Sequence, residues 1–134
     1  MRNFEFACIF SMEAALSFIE SIGINKIESH ISLLTRALYL RLKTITGIEF
    51  APGVASYDCA KGFGIIAFRF NNVLSTDLAQ YLDEQSIFVR SGDHCLAKKR
   101  NEGLDYIRAS LHLYNTEDEI DRFVNGLVIA LFDN

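Results

Sequence analysis

At 134 residues, half of them hydrophobic and 22% charged, the chain has the size and balance of one folded domain with a single core. A net charge of −4 leaves no basic surplus to neutralise phosphates, so nucleic acid is not an expected partner. No apolar run reaches the roughly 18 residues of a membrane span. The first ten residues, interrupted by Glu5, lack the basic flank and small-residue cleavage site of a secretory signal, and the expectation is a cytoplasmic protein away from membranes.

Residues 1–10 read as a leader without a clear pattern, and residues 11–134 as one domain. Over residues 11–22, Met12, Ala15, Leu16, Phe18 and Ile19 lie near a helical apolar stripe that Gly23 ends. A second helix is expected over residues 25–44, burying Ile27, Ile31, Leu34, Ala37, Leu38 and Leu42 and turning His30, Arg36 and Arg41 elsewhere. Ile48-Glu49-Phe50 alternates like a short strand, and Pro52 with Gly53 opens a turn. Residues 64–70, rich in β-branched and aromatic side chains, form the strongest strand candidate. Ser75 is placed to N-cap a helix over residues 76–85. Ile87-Phe88-Val89 reads as a strand running into a loop, and residues 106–113 as another. Thr116-Glu117-Asp118-Glu119 is a capping box for a last helix that turns Ile120, Phe123, Val124, Leu127 and Leu131 inward. This order predicts an α/β domain of the two-layer α+β kind, a small, mainly antiparallel sheet with helices packed on one side.

Three cysteines, Cys8, Cys59 and Cys95, show no paired spacing, so neither a zinc site nor a disulfide framework is indicated. Cys8 lies among Phe6, Ile9 and Phe10 and reads as a packed residue; Cys59 has no histidine or arginine within five residues and reads as incidental. Cys95 differs. It stands on the loop Arg90-Ser91-Gly92-Asp93-His94-Cys95, and Arg90, His94, Lys98, Lys99 and Arg100 all fall within five residues of it. Cationic neighbours raise the thiolate fraction on which nucleophilicity depends. The local pattern leaves open a functional thiol and a small apolar filler of a turn. Arg108 sits inside the apolar run Tyr106-Ile107-Arg108-Ala109-Ser110-Leu111, where an unpartnered charge is costly. A structural ion pair is the default account; a fork gripping a ligand carboxylate is the alternative. His30 and His112 are isolated and read as structural or solvated, and no phosphate-binding loop is present.

Taken together, the Arg90 to Cys95 loop, Arg108-Ala109-Ser110-Leu111, Tyr114-Asn115-Thr116 and Glu119-Ile120-Asp121 resemble the C-terminal part of SufS-type cysteine desulfurases. These are pyridoxal-phosphate enzymes of the class V aminotransferase group. Residues 64–70 and Ala14-Ala15-Leu16 before Ile22-Gly23 extend the resemblance over nearly the whole chain. It implies the C-terminal domain of a fold-type I pyridoxal-phosphate enzyme. It gives Cys95 the role of the thiol that takes sulfur from a cysteine substrate as a persulfide, releasing alanine. It gives Arg108 the grip on the substrate carboxylate, which reverses the default of an ion pair. Arg90 and His94 take supporting positions beside the thiol, in orienting the loop and moving protons.

The chain departs from the family pattern around the thiol, and its stretch from Cys95 to Arg108 is a residue or two shorter than the family's. Asp93 stands where a second histidine is common, a negative charge that favours the protonated thiol. Leu96-Ala97-Lys98-Lys99 replaces the usual Ala and Pro. Nothing in the sequence matches the region that carries the Schiff-base lysine, so no pyridoxal phosphate is expected on this chain alone, nor activity without it. The implied partners are a chain bearing the pyridoxal-phosphate domain or a sulfur-acceptor protein. A surface left apolar by the missing domain would promote homo-oligomers. The other readings are a non-catalytic partner-binding module and a fragment of a selenocysteine lyase or other class V relative.

Overall fold

The computed structural model describes residues 6–51, 64–92 and 105–132. Their order is α1 (Phe6–Ile22), α2 (Ile24–Leu42), β1 (Ile48–Phe50), β2 (Ile65–Phe70), α3 (Ser75–Glu84), β3 (Arg90–Gly92), β4 (Tyr106–Ser110) and α4 (Glu117–Phe132). The four strands form one antiparallel sheet in the order β1-β2-β4-β3. The helices α2, α3 and α4 pack on one face of it, the two-layer arrangement expected from the sequence.

Periodicity accounts for the core. On α2, Ile27, Leu34, Leu38 and Leu42 recur at helical spacing and are buried. On β2, alternation sends Ile66, Phe68 and Phe70 inward and leaves Ile65, Ala67 and Arg69 on the other face. Phe68 packs edge-on to Phe70 and Phe123, at centroid distances of 5.9 and 6.3 Å, joining the sheet to α4. Gly64, at φ +76°, lets β2 start hard against β4, since a Cβ there would strike the Leu111 carbonyl.

Several element ends differ from the sequence expectation. α1 begins at Phe6 rather than near residue 11, and its residues 8–20 are all exposed. Ser75 is not the N-cap of α3. It is the first helical residue, Leu74 precedes it without a side-chain cap, and the buried Ser75 N–H donates to the Asp105 carboxylate at 2.7 Å. The cap is therefore supplied from the start of β4, 30 residues away. Ile87-Phe88-Val89 is extended but outside the ladder, and β3 starts only at Arg90. The preceding helix closes directly before this stretch. Ser86 takes a left-handed φ of 58°, its N–H donates to Asp83 O, and the Ile87 N–H donates to Leu82 O. This Schellman closure commits the Ile87 donor to the helix. At α4 the expected capping box is present: Glu119 N–H donates to Thr116 Oγ1 (3.4 Å) and Thr116 N–H to the Glu119 carboxylate (3.0 Å).

Candidate functional site

The sheet face opposite the helices carries the candidate site, and strand register builds it row by row. Ala67 faces Arg108 across β2 and β4, and Arg108 faces Arg90 across β4 and β3. Glu49 faces Arg69 across β1 and β2. Tyr106 and Arg108 are two residues apart on one strand and so share this face. The Arg69 guanidinium lies 5.6 Å from the centre of the Tyr106 ring.

The three arginines differ in how their charge is met. Arg69 donates from Nε and Nη2 to Glu49 Oε2 at 2.9 and 2.7 Å, and Asn71 donates to Glu49 Oε1 at 2.6 Å. These bonds, with that from Arg69 first, hold the Glu49 carboxyl below its ordinary range, and the Glu49 partner raises Arg69. Arg90 and Arg108 are paired with each other instead. Like charges directly opposite on adjacent strands repel. Among the described residues neither has a carboxylate in ion-pair contact, and Arg108 Nε is buried with no hydrogen-bond partner. Two guanidinium groups, one with a shielded and unsatisfied donor, form a receptor for a planar anion such as a carboxylate. The ion pair expected for Arg108 by default is not present among these residues.

Arg90 and Arg108, separated by 18 positions in sequence, are thus brought together by register. Cys95, His94 and Asp93 lie outside the described residues, as does Cys59. The last described residue before them, Gly92, has Tyr106 as its ladder partner. Cys8 is exposed on α1 rather than packed. His30 Nε2 donates to the Asn115 carbonyl at 3.1 Å, and the His112 ring packs at 5.0 Å from Tyr114; both are structural contacts. The Glu49–Arg69–Tyr106 row was not singled out from the sequence. Its signal was a charge alternating with apolar residues in each strand, Arg69 in Ile65–Phe70 and Glu49 in Ile48–Phe50.

The fold and this face define a class: a small α/β domain that sets two arginines opposite one another on the sheet face away from its helices. Residues 4–123 match the model of the aminotransferase class-V family, and the chain belongs to that family. Among curated relatives, the cysteine desulfurase of Salmonella agona is 34% identical over 121 residues, and that of Cronobacter sakazakii 32% over 122. These alignments take in 89% and 90% of this chain but only 28% and 29% of the relatives, so the chain spans under a third of their length. Among solved structures, the cysteine desulfurase CsdA of Escherichia coli superposes with a TM-score of 0.80 at 26% identity, covering 96% of this chain and 31% of that one. The enzyme of Thermococcus onnurineus gives 0.72 at 27% identity, covering 90% and 29%.

Members of this family use pyridoxal phosphate. The described residues do not fit it by themselves. Their lysines, Lys26 and Lys43, are exposed on α2 and just after it, in the helical layer and away from the Arg90–Arg108 face.

Proposed function

We propose that this chain is the substrate-carboxylate and sulfur-accepting part of a cysteine desulfurase of the SufS kind. It works against a pyridoxal-phosphate domain carried elsewhere in the same polypeptide or on a second one. The observation that carries the reading is Arg108, whose buried Nε lacks a partner and whose cross-strand neighbour on β3 is another arginine. A substrate carboxylate relieves both conditions. It satisfies the donor and neutralises two facing charges.

In this reading Arg108 grips the carboxylate and Arg90 supports it from the edge strand. Cys95, three residues beyond β3, takes the sulfur as a persulfide while the carbon skeleton leaves as alanine. His94 beside it handles the proton. The cofactor supplies the electron withdrawal that weakens the carbon–sulfur bond. The exposed apolar α1, with Phe10 and Met12 each 66% exposed, is the surface on which the cofactor domain settles.

The test is reconstitution. The chain is mixed with the separately expressed cofactor domain of the Salmonella agona relative, and alanine formed from cysteine is measured. Alanine is expected from the mixture and not from the chain with free pyridoxal phosphate. Cys95→Ala should abolish it. Arg108→Lys, which keeps the charge but loses the fork, should raise the KM for cysteine at least about tenfold. Full activity of the Arg108 variant in the mixture would refute the assignment, as would alanine production by the chain alone.

A further inference from the structure

A second feature of the sheet is independent of the Arg90–Arg108 face. The direction of the main-chain groups follows from two contacts. Leu111 N–H donates to Gly64 O at 2.7 Å, and Ala51 N–H donates to Ala67 O at 2.9 Å. With the alternation of an antiparallel ladder, Ala109 and Leu111 turn their main-chain groups towards β2, while Arg108 and Ser110 turn theirs towards β3. Arg108 meets Arg90 there. One step further the register would set Ser110 against Phe88, but the ladder stops at Arg90.

Where the strands part there is a cavity of about 320 Å³, within the range of real binding sites. Leu38, Ile120 and Phe123 line it from the core side. Phe88 and Tyr114, 79% and 73% exposed, line its open side. Charge is uneven around it. Glu119 is hydrogen-bonded by Asn115 and Thr116 and feels the Arg122 charge from nearby, whereas Arg122 itself donates to the Gln85 carbonyl and has no carboxylate in ion-pair contact among the described residues. The slot thus combines main-chain groups at strand spacing, an apolar hollow and a cation with no carboxylate in direct contact among the described residues.

We propose that this slot binds an extended peptide segment of another polypeptide, apolar at the residue that enters the cavity and acidic beside it. The peptide main chain continues the interrupted ladder at Ser110, its apolar side chain fills the hollow, and its carboxylate meets Arg122. This is strand addition with a side-chain anchor. A purely apolar small molecule would leave the Ser110 main-chain groups and Arg122 unused.

The full chain, isotope-labelled for amide spectra, is titrated with a blocked hexapeptide of alternating Thr and Val with a central Phe-Asp pair. Saturable shifts are expected at the amides of Phe88, Val89 and Ser110. The same peptide N-methylated at alternate amides should bind about tenfold more weakly, the loss of one good hydrogen bond. Arg122→Glu, a surface change checked for an unaltered amide spectrum, should weaken binding to a similar extent and remove the preference for Asp over Lys in the peptide. No saturation at millimolar peptide overturns the proposal. So does equal binding of the N-methylated peptide, which would make the site a plain apolar pocket. Shifts at the same amides on raising protein concentration alone would also overturn it, since the occupant would then be a second copy of the chain.

Discussion

The helices α1 and α4 are nearly the same length, 17 and 16 residues, and both are rich in apolar side chains, yet they are used in opposite ways. α4 has three acidic residues in its first turn, a reciprocal cap, and one stripe, Ile120, Phe123, Leu127 and Ala130, sunk into the core. Arg41 of α2 adds an ion pair to Asp121 at 2.7 Å. α1 has no acidic residue in its first turn and no basic residue in its last. Its apolar residues surround most of the helix, and Phe10, Met12, Leu16 and Phe18 are all exposed. It meets the rest of the described molecule chiefly through α2, beyond the bend at Gly23. Amphipathicity specifies a helix that completes itself against its own domain, whereas apolar character on most sides specifies one that needs cover from outside. No single described helix is long and apolar enough to cross a membrane; α1 and α2 together pass on length and composition only as a pair bent by 75°.

The contrast can be broken most easily by truncation. Leu127→Ala, at a fully buried site on α4, should cost about 2–5 kcal/mol in urea unfolding. Leu16→Ala on α1 should stay within about 0.5 kcal/mol. Equal losses would mean that α1 is already packed. A smaller effect tests the cap: Thr116→Ala should remove about 1 kcal/mol.

Acid sharpens the contrast further. The Asn115 side chain first, then the Thr116 N–H, hold the Glu119 carboxyl below its ordinary carboxylate range. A carboxyl depressed on folding contributes stability above its unfolded value, and that contribution is lost as pH falls through the folded value. The urea midpoint should therefore drop on acidification below about pH 4.5, and Glu119→Gln should make the drop shallower. The smallest effect on stability is expected from Phe10→Lys with Phe18→Lys. That pair should leave the midpoint unchanged while abolishing any self-association seen by sedimentation velocity; association that persists would place the sticky surface elsewhere.

Where a local pattern decided the structure, the sequence was sufficient. The α2 and α4 stripes, the alternation of β2 and the capping box at Thr116 follow from spacing alone, and so does the two-layer class. What stayed hidden depends on register or on distant partners. Ile87-Phe88-Val89 has strand propensity, but the Ile87 N–H is taken by Leu82. Ser75 looks like a cap, but its own N–H is served by Asp105. Arg90 and Arg108 were each noticed in the sequence, yet their facing positions depend on a pairing that no local pattern encodes. Cys95 and His94 were legible only as part of a motif.

The bond from Ser75 to Asp105 has a consequence for the order of events in folding. α3 has ten residues, shorter than a helix that persists alone in water. With no side-chain cap of its own, it gains its first-turn acceptor only after the chain has closed a loop 30 residues long and brought β4 alongside. The helix and the far strand should therefore appear together in time. A probe on α3 should report the slow, non-local phase of folding rather than a fast helical one.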